Sequence, residues 1–256
     1  MDTFEELLAR GSAADVTGWG FDWLDGRASE ERPPWGYAHL LAGRLSTATA
    51  SLDLDTGGGE VLSEASRFPP VAVATEAWPP NAARATALLR PRGVAVVRTV
   101  AEAALPFADA AFDLVSSRHP VAPDWAEIAR VLVPGGTYLA QHVGPASGFE
   151  LIEYFLGPQP EARRARDPRD EAAAARSAGL EIVQLREARL RIEIRDVAAV
   201  VYLLRKLVWW VPGFTVEGHL DRLRELDRLL RTEGPFIAHS TRHLVEARKP
   251  SAGTDS

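Results

Sequence analysis

Along the middle of the chain, short apolar runs alternate with stretches whose apolar residues recur at helical spacing. Residues 50–54, 71–75, 94–98, 112–116 and 137–142 read as strands, and 60–66, 80–89 and 125–132 read as helices between them. The helix over 80–89 has proline in its first turn, where a missing N–H costs nothing. Strands separated by single helices predict a parallel sheet covered on both faces. Right-handed crossovers then bring the strands' carboxyl ends to one rim, and ligands bind on that rim where the strand order reverses.

The flanks are less regular. Residues 3–10 and 37–46 read as helices, but 11–36 has no period and carries Trp19, Phe21, Trp23 and Trp35. Exposed, such aromatics would be sticky, so the segment is expected to lie against a domain. Further on, 149–155 and 170–178 read as helices, the second closed by Gly179, with a proline- and arginine-rich connection over 158–168 and a turn at Pro134-Gly135-Gly136 before the strand at 137. Two separate strands follow, 180–185 and 189–195; in the second, Leu190, Ile192 and Ile194 alternate with Arg191, Glu193 and Arg195. Helices over 196–209 and 217–232 and a last strand over 237–247 complete the pattern. The expected organisation is an N-terminal helical and aromatic lid (1–46), a nucleotide-binding core (47–145), a C-terminal part of the sheet (146–249) with a helical cap insertion at about 186–216, and a disordered tail (250–256).

Composition narrows the class. With 256 residues, 46% of them hydrophobic and 25% charged, the chain suits one large α/β domain or a domain with a cap. Cysteine is absent, which excludes a disulfide framework, a thiol nucleophile and cysteine-ligated metal sites. The start of the sequence is acidic and amphipathic, and no window approaches ~20 uninterrupted apolar residues, so a cytoplasmic protein without a membrane span is expected. The net charge of −6 argues against gripping a phosphate backbone, although Arg163, Arg164, Arg166 and Arg169 cluster among acids.

The candidate chemistry begins at the turn after the strand at 50–54, which reads Asp53-Leu54-Asp55-Thr56-Gly57-Gly58-Gly59-Glu60. Glycines let a ligand approach the backbone, and the helix that follows offers free N–H groups. Such a turn also joins strand to helix with no ligand at all. Glu76 stands just past the next strand, where a carboxylate can accept both hydroxyl hydrogens of a ribose or can merely cap the helix after it. Two further segments are more specific: Leu-Pro-Phe-Ala-Asp-Ala-Ala-Phe-Asp-Leu-Val at 105–115 and Arg-Val-Leu-Val-Pro-Gly-Gly at 130–136.

In order and spacing, these four segments resemble class I S-adenosylmethionine-dependent methyltransferases of the type 11 group, over about residues 50–143. The resemblance implies an α/β fold with a Rossmann-like, seven-stranded, mostly parallel sheet and helices on both faces, to which this chain adds an N-terminal aromatic segment and a helical cap insertion. It also implies S-adenosyl-L-methionine as cofactor. Carried over by position, Asp53, Asp55, Thr56, Gly57, Gly58 and Gly59 surround its methionine and ribose portions, and Glu76 holds the ribose hydroxyls. Ala77 and Trp78 lie beside the adenine, Glu102 and Ala103 line its other edge, and Ser117, Arg118 and His119 lie near the methyl group. Two positions depart from the family. Asp55 stands where the turn usually has glycine, and Ala101 where an acidic residue often meets the adenine, with Glu102 next to it.

Methyl transfer from a sulfonium is an in-line displacement, so a protein mainly aligns the reactants and excludes water. His119 is the candidate general base; the alternative is that Arg118 and His119 hydrogen-bond neighbouring loops or contact the cofactor carboxylate, and His142 is a second candidate. No metal is expected, because methyl transfer needs none. Trp209, Trp210, Pro212 and Phe214 would wall an apolar acceptor pocket or pack the cap, which favours a small organic acceptor. Methylation of RNA or protein through the arginine cluster, and a cofactor-binding module without turnover, stay open. A nicotinamide dehydrogenase shares the glycine turn and the following acid, but its turn is Gly-x-Gly-x-x-Gly, which this one is not.

Overall fold

The helices begin where the sequence supplies an acceptor, a proline or a left-handed glycine for the first turn. Thr3 and Glu6 close a capping box at α1 (Phe4–Ala13). Gly36 and Gly59 precede α2 (Tyr37–Leu45) and α3 (Glu60–Ser63), and α4 (Pro79–Leu89) opens on proline. Asp124 caps α5 (Trp125–Val131), Gly148 leads into α6 (Phe149–Leu156), and Asp167 caps α7 (Pro168–Ser177). Asp196 caps α8 (Val197–Lys206), and α9 (Leu220–Glu233) continues from a single 3-10 turn. The strands are β1 (Ala28–Glu30), β2 (Ala50–Leu54), β3 (Val71–Glu76), β4 (Ala95–Arg98), β5 (Phe112–Arg118), β6 (Leu132–Val143), β7 (Glu181–Ile194) and β8 (Phe236–Arg248). The structure, a computed structural model, describes residues 2–18, 20–100 and 103–251; Trp19, Ala101, Glu102 and most of the expected tail lie outside them.

The chain divides into two compact units. The core unit comprises the described residues within 33–144, 166–188 and 242–256. Its strand order is β7-β8-β6-β5-β2-β3-β4. The pairs β2–β3, β3–β4, β2–β5 and β5–β6 are parallel, and β6–β8 is antiparallel. The chain runs outward from β2 through β3 to β4, then returns to β5 on the other side of β2. The order therefore reverses between β2 and β5, where Leu54 pairs with Ser117.

Alternate strand residues face opposite layers, as a pleated sheet requires. Leu114 and Leu139 pack with Leu41, Leu45, Ala85 and Leu89 from α2 and α4, whereas Val115, Tyr138 and Ala140 pack with Trp125, Ile128 and Ala175 from α5 and α7. Helices thus cover both faces, as expected.

The second unit comprises the described residues within 1–32, 145–165 and 189–241. Its core surrounds α8, buried along most of its length and packed with residues of α1, α6 and α9. Gly11 permits the closest approach of α1 to α8: a Cβ there would lie 2.7 Å from the Ala198 carbonyl oxygen and 2.9 Å from the Val201 Cβ. Trp23, from the aperiodic aromatic segment, stacks on Tyr202 at 4.8 Å.

Three expectations are corrected. There are eight strands among the described residues, not seven: β1, too short to show a period, pairs antiparallel with the far end of β7 in the second unit (Ala28↔Ile194 to Glu30↔Ile192). The segments 180–185 and 189–195 are one strand, β7, because the charged residues between them continue the extended backbone. The Pro-Gly-Gly turn lies inside β6, where the register jumps from Phe112↔Leu132 to Leu114↔Thr137 and Gly135 adopts φ +80°. Among the described residues no helix is long and apolar enough to cross a membrane.

Candidate cofactor site at the switch point of the core unit

Asp53, near the end of β2, is buried, and the Ser116 hydroxyl on neighbouring β5 donates to it at 2.5 Å. Burial dominates, so although the Ser116 bond favours the charged form, the Asp53 pKa is pushed up to about 6. The chain then turns through three left-handed residues, Asp55 (φ 53°), Gly57 (φ 65°) and Gly59 (φ 84°). Gly59 must be glycine twice over: its φ is positive, and a Cβ would sit 2.9 Å from Leu89 Cδ1 of α4. Asp55 carries the same strain with a side chain. Desolvation and the nearby Glu76 carboxylate raise the Asp55 pKa above the usual carboxylate range.

The turn is held against the end of β3. The Thr56 N–H donates to the Thr75 carbonyl at 2.9 Å, and the Asp55 N–H to the Thr75 hydroxyl at 3.3 Å. Glu76, buried, accepts from the Gly57 N–H with one oxygen and from the Trp78 N–H with the other, both at 2.8 Å. Since Trp78 is the residue that begins α4, Glu76 both secures that helix start and ties it to the glycine turn.

Across the switch point, β5 and β6 end in a relay that begins on the segment before α2. The Trp35 indole N–H donates to Gln141 Oε1 at 2.7 Å, and Gln141 Nε2 lies 3.0 Å from His119 Nε2. An indole can only donate, so Gln141 must accept with its oxygen and donate with its nitrogen. His119 Nε2 is therefore the acceptor, and the ring proton sits on Nδ1. Burial first, and then the Arg118, Arg242, His142 and Arg166 charges, push the His119 pKa down to about 2. His119 also has φ 60°, and its N–H donates to the Gln141 carbonyl at 2.7 Å. The Tyr37 hydroxyl donates to the Ser117 carbonyl at 2.9 Å.

The two most specific sequence segments meet through one side chain. Arg130, the first residue of the 130–136 segment, donates to the Leu105 and Phe107 carbonyls at 3.1 and 2.8 Å and to Glu127 at 2.6 Å. Glu127 in turn accepts from the Leu105 N–H at 2.6 Å. The arginine thus clamps the loop that enters β5, which explains why the segments occur together.

Of the residues expected at the site, Asp53 to Gly59 and Glu76 come together at the ends of β2 and β3. Arg118 and His119 lie at the end of β5 on the adjoining strand. Ala77 is half-buried, and Trp78, Ala103 and Arg118 are exposed; Glu102 lies outside the described residues. Sequence reading missed Trp35, Tyr37, Gln141 and Ser116, which hold the end of β5 in place. Only Gln141, a polar residue breaking an apolar strand, left a local trace.

The residues present fit S-adenosylmethionine. Asp53, Asp55 and Glu76 give an acid-rich cradle suited to an ammonium, a sulfonium and ribose hydroxyls. Thr56 Oγ1 and Ser117 Oγ, at adjoining strand ends, are buried with no hydrogen-bond partner among the described residues, in keeping with a site that a polar ligand completes.

A family model described as a methyltransferase domain matches residues 52–140, the span from β2 to β6 that builds this site. No curated protein matches the chain. Among solved structures, a candidate methyltransferase from Bacillus halodurans C-125 is 20% identical with a TM-score of 0.60, covering 84% of this chain and 99% of that one. A candidate sarcosine dimethylglycine methyltransferase from Galdieria sulphuraria is 16% identical with a TM-score of 0.52, covering 98% and 99%. A geranyl diphosphate methyltransferase, solved in complex with S-adenosylmethionine, is 14% identical with a TM-score of 0.51, covering 83% and 84%. Residues 52–140 therefore match a methyltransferase domain, and the chain shares the fold of methyltransferases of known structure.

Proposed function

We propose that this protein binds S-adenosyl-L-methionine in the β2–β3 cradle and catalyses transfer of its methyl group to a small organic acceptor. The observation that carries the reading is Glu76, whose two oxygens are held by backbone N–H groups from the glycine turn and from the start of α4. A carboxylate fixed in that way is orientated before any ligand arrives, and its remaining lone pairs suit ribose hydroxyls. Bound there, the cofactor supplies a sulfonium-activated methyl group.

The residues around it then do three things. Asp53 and Asp55 face a cation with negative charge. The left-handed turn lets the backbone approach the ligand closely. The relay from Trp35 through Gln141 fixes His119 at the end of β5. We assign His119 a positioning role in its neutral form: its Nε2 lone pair is engaged by Gln141, and a pKa near 2 makes it a poor proton acceptor at neutral pH. An acceptor atom that is nucleophilic without a protein base fits this arrangement best.

RNA or protein substrates draw less support. Of the clustered arginines, Arg163 pairs with Glu153 at 2.6 Å and Arg169 with Asp167 at 2.7 Å, so they present ion pairs and not a bare basic stripe.

Calorimetric titration with S-adenosylmethionine and S-adenosylhomocysteine tests the binding claim, with Glu76→Ala as control. The wild type is expected to bind both, and the variant to bind about 1–3 kcal/mol more weakly as charge-assisted bonds to ribose are lost. No wild-type binding at millimolar ligand would sink the proposal, and an unchanged Glu76→Ala affinity would remove Glu76 from the site. Tight binding with no methyl transfer across a broad panel of small acceptors would leave a cofactor-binding module without turnover.

A further inference from the structure

A second polar cluster lies in the core unit, on the face of the sheet covered by α5 and α7. His142 on β6 and His243 on β8 stand directly opposite each other in the antiparallel register, with ring centroids 5.0 Å apart. Glu171 on α7 reaches both: its Oε2 is 2.5 Å from His142 Nδ1 and 2.8 Å from His243 Nε2. The histidine side chains are 2% and 1% exposed, whereas Glu171 keeps 19%. The Tyr138 hydroxyl lies 3.1 Å from the other nitrogen of His142.

A purely structural reading of this cluster is incomplete. Burying a carboxylate costs several kcal/mol unless all its partners repay it, and an apolar layer would serve as well or better. The surrounding layer is in fact apolar, with Trp125, Val245 and Ala247 close by. The network is also one bond short, because His243 Nδ1 is buried without a partner among the described residues. By contrast, two imidazole nitrogens and a carboxylate oxygen, all within 4.8 Å of one another, form a donor set that suits a first-row divalent cation.

We propose that His142, Glu171 and His243 form a binding site for a divalent transition-metal cation, with zinc as the best-matched ion. Zinc–nitrogen and zinc–oxygen bonds of about 2.0–2.1 Å in a tetrahedron place ligand atoms ~3.3 Å apart, so the carboxylate–imidazole pairs, at 2.5 and 2.8 Å, open by less than an ångström while the two imidazole nitrogens, within 4.8 Å, draw together. On binding, the His142 proton moves from Nδ1 to Nε2 and is donated to the Tyr138 oxygen, while the His243 proton moves from Nε2 to Nδ1. No proton has to leave the site. Tyr138 is the orienting partner that metal-bound histidines characteristically have, and only His142 has one in place. Three protein ligands leave a fourth position for water or another small donor, on the side where Glu171 meets solvent.

The test uses the full chain stripped with chelator, titrated with Co²⁺ and then Zn²⁺, and needs no methyl transfer, so it stands or falls separately from the proposed activity. One Co²⁺ per chain is expected, with d–d bands of a low-coordinate nitrogen–oxygen site that Zn²⁺ displaces. Glu171→Gln and His243→Gln should each weaken binding at least tenfold, and Tyr138→Phe about tenfold. X-ray absorption of the zinc-loaded wild type, which requires no variant to fold, should show imidazole scattering from two histidines. Failure of the wild type to bind either ion below millimolar concentration, binding of equal strength in Glu171→Gln, or a zinc spectrum without imidazole scattering would each overturn the site.

Discussion

The two units treat buried polar groups differently. Among the described residues, ten buried polar or charged side chains belong to the core unit and three, Lys206, Asp227 and Ser240, to the second unit. Those three are local staples. Lys206 donates to carbonyls of the loop after α1, including Gly18 at 2.9 Å, Asp227 pairs with Arg231 one helical turn away at 2.6 Å, and Ser240 donates to Glu30. Each satisfies a fold contact, and the rest of that core is hydrocarbon around α8. In the core unit, Asp53, Glu76, Ser116, Ser117, Gln141 and His142 gather instead at the carboxyl ends of four adjacent strands. Fold stability does not demand such a concentration, since burying these groups costs more than burying leucine. Convergence of buried polarity, and not its mere presence, marks the working part of this molecule.

If that contrast is right, the largest stability effects should come from the second unit's core and leave ligand binding alone. Leu226 on α9 is fully buried in that core. Leu226→Ala is expected to cost about 2–5 kcal/mol in urea denaturation, from lost burial and the cavity left behind. S-adenosylmethionine affinity of the folded variant, measured well below its midpoint, should match wild type. A matching loss of affinity would break the contrast.

Asp53 should show the opposite behaviour. Its folded pKa of about 6 lies above the ordinary 3.8, so the native state holds the proton more tightly than the unfolded chain does. Stability contributed at this residue is therefore full below about pH 4 and is lost as pH rises to about 6. The gap of roughly two pH units is worth about 3 kcal/mol. Asp53→Asn keeps an acceptor for Ser116 and cannot ionise, so it should be more stable than wild type at pH 7.5, by up to about 3 kcal/mol, and nearly equal at pH 4. It should bind S-adenosylmethionine worse at both. Equal stability differences at the two pH values would mean that Asp53 is not a strained, functional acid.

Most of the core unit was legible because its strands are apolar, short and separated by capped helices, and because the turn at 53–60 and the segments at 105–115 and 130–136 leave local patterns. The strand β7 was split in reading because its central residues, Arg186 and Glu187, carry charges on a largely exposed strand, where period conveys little about the backbone. The relay was invisible for a different reason. Trp35 and Gln141 are 106 positions apart, and His142 and His243 meet only through an antiparallel register. A ligand set at 142, 171 and 243 leaves no spacing to read.

The smallest effect should come from Asp55, where the resemblance implied glycine. Asp55 holds φ 53°, a conformation that costs an L-residue on the order of 1 kcal/mol and glycine nothing. Asp55→Gly relieves that strain but frees the unfolded chain, which offsets it by about 0.4–1 kcal/mol. Stability should therefore change by less than about 1 kcal/mol. What the aspartate adds is charge: about 1 kcal/mol is available from a cation about 4 Å away in high dielectric. Asp55→Gly is thus expected to weaken S-adenosylmethionine binding about fivefold and to flatten its salt dependence, as calorimetry at two ionic strengths would register. If the variant binds more tightly, Asp55 repels rather than attracts in this cradle, and Asp53 and Glu76 alone supply the negative field that separates the core unit from its neighbour.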